Sequence, residues 1–195
     1  MKTISLKKLR KAMESELNPK RYEHTLAVAY TAANLAMVHG EDTRNATIAG
    51  MLHDCAKCLP EKKLISICNK NSLEISEIEL HNPSALLHAK AGSVLAHKKY
   101  GVNDEDILNA IKFHTTGRPN MSKLEKILYI ADYIEPDRKH APNLAQVRCM
   151  AYQDLDKTLL KILDDTLSYL NSTGGQIDPM TKTTYEHYNT SSRKE

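Results

Sequence analysis

Six residues that can bind a metal ion recur along this chain in the order His, His-Asp, His, His, Asp. His53 and Asp54 are adjacent and follow the apolar run 49–52. A buried carboxylate without a partner shifts its pKa or destabilises the fold, and a bound cation would remove that cost. The candidate ligands are His24, His53, Asp54, His88, His114 and Asp132.

Each candidate ligand falls on the apolar stripe of a predicted helix. Asn18 and Pro19 form a typical helix start, and apolar positions follow His24 at three- and four-residue steps. Ser84 is predicted to cap the helix that carries His88. The helices of the other ligands are predicted around 46–53, 107–114 and 122–134, the last beginning with a Ser122–Glu125 capping box.

A single histidine on an apolar face is more often a core residue bonded to a carbonyl than a ligand. Asp132 alone could pair with Arg138. Six such residues together are hard to place in a dry core, since each would need its own hydrogen-bond partner. The joint pattern therefore favours a metal site.

The ligand types indicate the metal and the reaction. Imidazole and carboxylate suit Fe, Mn, Zn or Co rather than Ca or Mg. Six ligands are too many for one catalytic ion with an open position, so two ions bridged by Asp54 fit better. Two ions about 3.5–4 Å apart stabilise the attacking and leaving oxygens of a displacement at phosphorus. The sequence therefore predicts hydrolysis of a phosphoester or phosphoanhydride.

The His…His-Asp…Asp signature resembles the HD-domain metal-dependent phosphohydrolases. The strings at 86–92, 110–118 and 129–138 are similar to a narrower group, the bacterial YqeK family of symmetrical bis(5′-nucleosyl)-tetraphosphate hydrolases. The resemblance runs from about Pro19 to about Leu170. It implies an all-α fold, a single HD-domain helical bundle with a buried dinuclear metal site, and cleavage of diadenosine tetraphosphate into two ADP. Iron is the expected metal, with Mn, Co or Zn as alternatives.

A mechanism follows as a hypothesis. His24, His53, Asp54 and Asp132 hold one metal, and Asp54, His88 and His114 hold the other; His88 is preferred over His81, which precedes a loop. The catalytic residues are Asp54 and Lys57, the latter one helical turn away. The alternative interpretation is that Lys57 is an ordinary surface lysine without a role in catalysis. The expected substrate contacts are Arg21, His24, Lys57, Lys90, His114, Thr115, Thr116, Arg118, Asp132, Tyr133 and Arg138.

Length and composition predict one domain that is built of helices. The 195 residues include seven Gly and seven Pro, and the net charge is +3. We expect an N-terminal helix in 1–17, the HD domain in 18–171 and a polar C-terminal tail in 172–195. Residues 144–170 read as one long helix, and 176–195 as a loosely ordered or extended segment. The tail lacks the Arg of the Ala-Arg-Asn ending that is frequent in the YqeK group.

The remaining features favour a cytoplasmic protein. No apolar run is long enough for a signal peptide or membrane span. Cys55 and Cys58 have the spacing of a redox motif, but no second pair exists, and free thiols are preferred. The basic N-terminal segment is read as a packed helix rather than a membrane- or RNA-binding surface.

Two other classes of function stay open. One is a different HD-type phosphohydrolase, acting on nucleoside monophosphates, cyclic nucleotides or guanosine tetraphosphate. The other is a non-catalytic nucleotide- or RNA-binding protein with a structural metal. The expected partners are a dinucleoside polyphosphate substrate and its ADP product, with no membrane and no nucleic acid required, and a homodimer is left open.

Overall fold

The computed structural model describes residues 4–192, with the side chains of 191 and 192 left aside. The expectations for the two ends of the chain therefore fall partly outside the described residues, at 1–3 and 193–195. Residues 4–192 contain helices and no strand, which confirms the all-α prediction. The helices are α1 (Leu6–Glu16), α2 (Pro19–His39), α3 (Thr43–Leu52), α4 (Glu61–Lys70), α5 (Glu77–His81), α6 (Pro83–Lys98), α7 (Glu105–Phe113), α8 (Lys123–Ile134), α9 (Leu144–Ala151), α10 (Leu155–Thr173) and α11 (Pro179–Ser192).

Helices α2 and α3 form the closest helix pair of the fold. The side chain of Asn18 accepts a hydrogen bond from the Arg21 N–H, and Gly40 ends α2 in a left-handed conformation. A Cβ atom added at Gly50 would lie 2.6 Å from Cα of Ala29, so only glycine permits this approach. The tight crossing holds the end of α3 against the middle of α2.

The helix starts at α6 and α8 differ from each other. Ser122 and Glu125 form the predicted capping box of α8, which is confirmed. The predicted Ser84 cap of α6 is wrong, because α6 begins one residue earlier, at Pro83. The hydroxyl of Ser84 instead bonds the Glu61 carboxylate 3.1 Å away. Proline needs no partner for its missing N–H, so α6 can begin without a side-chain cap.

The segment 144–170 is two helices and not the single long helix predicted. Helix α9 ends at Ala151, and Asp154 begins α10 by accepting a hydrogen bond from the Lys157 N–H. The side chain of aspartate readily accepts hydrogen bonds from nearby backbone N–H groups. Aspartate is therefore favoured at a helix start and disfavoured within a long helix. The apolar spacing continues across the break, which is why the sequence pattern did not reveal it.

The C-terminal segment is helical, so the prediction of a loosely ordered or extended tail is wrong for α11. Thr181, Thr184 and Tyr188 recur at three- and four-residue steps and are buried. The hydroxyl of Tyr188 accepts a hydrogen bond from the Met121 N–H at 2.9 Å. This helix docks through threonine and tyrosine rather than through aliphatic residues, so its inner face does not stand out from a polar sequence.

Helix α1 packs on the bundle through Leu9 and Met13, both buried. Most of the remaining core lies on α2, α3, α7, α8 and α10, and a second, smaller cluster lies between α4 and α6. Within residues 4–192, no helix combines the length and apolar character needed to cross a lipid bilayer.

Candidate metal centre

Five helices and their ends position the six predicted ligands around one point. His24 lies on α2, and His53 and Asp54 directly follow α3. His88 lies on α6, His114 directly follows α7, and Asp132 lies on α8. His53, Asp54, His88 and His114 are buried, whereas His24 and Asp132 are partly exposed.

The carboxylate of Asp54 lies at the middle of the group and faces a different histidine pair with each oxygen. Its Oδ2 atom lies 3.4 Å from His53 Nε2 and 3.8 Å from His24 Nε2. Its Oδ1 atom lies 3.1 Å from His88 Nε2 and 3.8 Å from His114 Nε2. A carboxylate that addresses one set of nitrogens with each oxygen has the arrangement that a bridge between two metal ions requires.

Further contacts complete two sets of donor atoms. His24 Nε2 lies 3.1 Å from Asp132 Oδ1, and the Nε2 atoms of His88 and His114 are 3.2 Å apart. Donor atoms of His24, His53 and Asp132 all lie within 4.8 Å of one another, as do those of His53, Asp54 and His114.

The histidine rings are oriented as metal ligands. Nδ1 of His53 lies 2.7 Å from the Gly50 carbonyl, and Nδ1 of His114 lies 2.8 Å from the Ile111 carbonyl. Each Nδ1–H therefore donates outward and leaves the Nε2 lone pair facing the centre. Nε2 of His53 and of His24 forms no hydrogen bond with any residue in 4–192, although both are buried. These two nitrogens face carboxylate oxygens at 3.1 and 3.4 Å, and such an imidazole–carboxylate donor set fits Fe, Mn, Co or Zn.

The electrostatics of the centre favour the metal-binding protonation states of Asp54 and His114 and the protonated form of His53. Burial would raise the pKa of the Asp54 carboxyl, but His53 and His88 hold this pKa well below its ordinary value. Burial, reinforced by the charge of His53, lowers the pKa of His114 to about 3. Burial acts to lower the pKa of His53 too, but the attraction of Asp54 outweighs it and raises that pKa. A carboxylate and a neutral imidazole are ready-made ligands.

Three cationic side chains reach the centre directly. Arg21 Nη1 donates to Asp54 Oδ2 at 2.7 Å, and Arg138 Nη2 donates to Asp132 Oδ1 at 3.1 Å. Lys57 Nζ lies 3.3 Å from His88 Nδ1. Burial lowers the pKa of Lys57. Positive charge is therefore concentrated where phosphate oxygens would approach the metal ligands.

Two other predicted contacts are occupied elsewhere. Lys90 forms an ion pair with Glu79 at 2.7 Å and donates to the Glu74 carbonyl at 2.8 Å. Arg118 donates to both carboxylate oxygens of the buried Glu125, at 2.7 and 3.0 Å. The structure does not bring these two cations onto the carboxylates of the centre.

Two clefts contain some of the predicted substrate contacts, and one of them includes the ligand His24. The Arg21 cleft, of about 980 Å³, is lined by Arg21, His24, Tyr133 and Arg138 among others. The Lys90 cleft, of about 940 Å³, is lined by residues that include Lys90, Thr115, Thr116, Lys112 and Met180. Each volume is within the range that binds a small ligand.

Sequence reasoning missed two residues of this region. Glu135 Oε1 lies 3.3 Å from His24 Nδ1, so this buried carboxylate orients the ligand ring from behind. Its place three residues after Asp132 at the end of α8 was the available signal. Asp165 lines the Arg21 cleft from α10, and the local sequence carries no signal for it.

Comparison with known proteins identifies close relatives. The family model described as HD domain matches residues 21–137. A protein of Bacillus subtilis named bis(5′-nucleosyl)-tetraphosphatase, symmetrical, is 39% identical over 173 residues, which are 89% of this chain and 91% of that protein. A protein of Staphylococcus aureus with the same name is 39% identical over 169 residues, 86% of each chain.

The fold is also similar to a solved structure from Clostridium acetobutylicum. That protein is described as a predicted HD superfamily hydrolase involved in NAD metabolism. The TM-score is 0.91 at 45% identity, with 96% of this chain and 98% of the other covered.

Proposed function

Because this chain belongs to the HD domain family, we propose that its buried centre hydrolyses diadenosine tetraphosphate symmetrically into two ADP. The observation that carries the proposal is the Asp54 carboxylate with a histidine pair at each oxygen. The names of the Bacillus and Staphylococcus relatives support this substrate.

The residues of the centre would hold two metal ions. His24, His53 and Asp132 would bind one, His88 and His114 the other, and Asp54 both. When bound, such a pair stabilises attacking and leaving oxygens at phosphorus and lowers the pKa of a bound water.

The chain's own cations would orient the polyphosphate. Arg21 and Arg138 already hold the carboxylates of Asp54 and Asp132, so their remaining N–H groups are fixed beside the centre. Their planar guanidinium groups suit phosphate oxygens. Lys57, whose Nζ lies 3.3 Å from His88 Nδ1, would neutralise charge that spreads over the non-bridging oxygens in the transition state.

The other expected contacts are proposed as cleft linings. Tyr133 would contact the substrate half in the Arg21 cleft, and Thr115 and Thr116 that in the Lys90 cleft. Lys90 would hold the wall of its cleft through Glu79, and Arg118 would hold Glu125, rather than either acting on phosphate itself.

Iron is the metal that we propose: the donor set suits Fe, Mn, Co and Zn alike, and the resemblance to the YqeK family favours iron. Elemental analysis of protein purified without added metal tests this: two iron atoms per chain are expected, and two zinc or manganese atoms would overturn the choice. A cytoplasmic location remains part of the proposal and is supported by four free cysteines. A homodimer is also part of the proposal.

Product analysis tests the reaction. Metal-loaded protein is incubated with diadenosine tetraphosphate in oxygen-18 water, and the products are separated and weighed by mass spectrometry. Two ADP, one of them carrying a single oxygen-18, are expected per turnover. ATP plus AMP would contradict symmetrical cleavage. Inorganic phosphate from nucleoside monophosphates, with no action on the tetraphosphate, would instead show a nucleotidase.

A further inference from the structure

The Arg21 cleft contains a buried carboxylate oxygen without a partner. Asp165 is 7% exposed, and its Oδ2 atom forms no hydrogen bond with any residue of the described chain. Its other oxygen, Oδ1, accepts from Asn143 Nδ2 at 2.9 Å and from Lys161 Nζ at 2.6 Å. A buried acceptor without a hydrogen bond costs free energy of desolvation. A donor from outside the described residues would remove that cost.

Asp165 is held firmly in its place on the cleft wall. It lies on α10, and Asn143 ties it to the start of α9, next to the segment 139–142 that also lines the cleft. The Lys161 ion pair fixes the carboxylate within α10 itself. The carboxylate is therefore held in place, and a ligand donor reaches the buried Oδ2 atom when the side chains that cover it move aside.

Two tyrosines of the same cleft provide flat surfaces. Tyr133 donates to the Pro142 carbonyl at 3.3 Å, and burial together with the charge of Asp165 raises the pKa of Tyr133 to about 12. Tyr169 follows Asp165 by one helical turn and is 60% exposed, so its ring can turn to admit a ligand. Aromatic faces stack on nucleobases of any sequence.

The cleft therefore has different chemistry at its two sets of lining residues. Arg21, Arg138 and His24 belong to the metal centre and suit phosphate, whereas Asp165, Tyr133 and Tyr169 suit an aromatic group that carries hydrogen-bond donors. A nucleoside diphosphate combines these two features. We propose that Asp165 recognises the nucleoside of the substrate half bound in the Arg21 cleft by accepting, at Oδ2, a hydrogen bond from its ribose hydroxyls or its base.

This assignment rests on the proposed function for the identity of the substrate, but its test does not need turnover. The metal-loaded full chain is titrated calorimetrically with ADP, 2′-deoxy-ADP, GDP and inorganic pyrophosphate. Asp165→Asn keeps the size of the side chain, while its amide oxygen remains with Lys161 and Asn143 and its NH₂ group takes the place of Oδ2. Lys161→Met is the matched control, since it removes the same ion pair and keeps the carboxylate.

Asp165→Asn is expected to weaken ADP binding by about tenfold to a hundredfold, the usual effect of losing a hydrogen bond to a charged group. Pyrophosphate binding should be unchanged in this variant, and ADP binding should be nearly unchanged in Lys161→Met. If the donor is the ribose, the wild-type protein prefers ADP over 2′-deoxy-ADP and the Asn variant does not. If the donor is the base, the variant instead alters the ratio of ADP to GDP affinity.

Three results would overturn the assignment: unchanged affinity of Asp165→Asn for every nucleotide, an equal loss for pyrophosphate, or the same loss in Lys161→Met. The last two would assign Asp165 a purely structural role. Failure of the proposed reaction is seen separately, because ATP plus AMP as products would refute symmetrical cleavage whatever Asp165 binds.

Discussion

The Arg21 cleft and the Lys90 cleft are similar in volume, and each contains a cation close in sequence to a metal ligand, but the two cations have different partners. Arg21 precedes His24 by three residues and contacts the Asp54 carboxylate at 2.7 Å. Lys90 follows His88 by two residues, and it contacts Glu79 and the Glu74 carbonyl instead. Proximity in sequence to a ligand therefore does not decide whether a cation reaches the centre.

The helical period explains the difference. A residue three positions from a ligand shares its helix face, whereas one two positions away points elsewhere. Lys90 consequently leaves α6 toward Glu79 on α5, and Arg21 stays with His24. We expect the cations of the Arg21 cleft to bind phosphate. We expect Lys90 to stabilise the wall of its own cleft through Glu79.

The largest expected effect lies at the metal centre itself. Asp54→Ala removes the carboxylate between the histidine pairs, so bound metal should fall and hydrolysis should drop by at least about a thousandfold. Metal content by elemental analysis, activity by chromatography and helix content by circular dichroism are the measurements. Helix content should stay nearly intact. A variant that retains two metals per chain and wild-type turnover would rule out the bridging role.

A matched pair of variants tests the comparison itself. Arg21→Ala should lower kcat by about a hundredfold with metal content unchanged, because it removes a charge fixed beside the reacting phosphate. Lys90→Ala should lower kcat by less than about threefold, since its charge already belongs to Glu79. Steady-state kinetics on both variants gives the answer. Equal losses would mean that the Lys90 cleft also grips phosphate, and the contrast between the clefts would be lost.

The smallest effect on catalysis is expected from Arg118, whose role is predicted to be stability. Arg118→Ala leaves the buried Glu125 without its bidentate partner and should lower the free energy of unfolding by about 1–3 kcal/mol. Urea denaturation measures this loss, and Arg118→Lys, which keeps the charge, should recover part of it. A large drop in kcat with unchanged stability would instead show that Arg118 contacts the substrate.

Much of the fold and the centre could be predicted from the sequence because the ligands follow the same period as the core. His24 and His114 lie on the apolar stripes that build their helices, so one pattern indicates both structure and site. The resemblance in the strings at 110–118 and 129–138 supplied the substrate class.

The elements that were missed depend on partners distant in sequence. Helix α11 is stabilised by Tyr188 bonding to Met121, and Asp165 becomes significant only through its bond to Asn143 and its place in the Arg21 cleft. Arg118 was assigned to phosphate because its own segment does not show that Glu125 is within reach. Tertiary contacts of this kind leave no period in the local sequence.

The central claim is that Asp54 bridges two metal ions with one histidine pair on each side. A crystal structure of the metal-loaded protein, with anomalous data collected on both sides of the iron absorption edge, tests this most directly. Two anomalous peaks are expected, one beside Asp54 Oδ2 with His24, His53 and Asp132, and one beside Oδ1 with His88 and His114. A single peak, or two peaks that Asp54 does not join, would contradict the account.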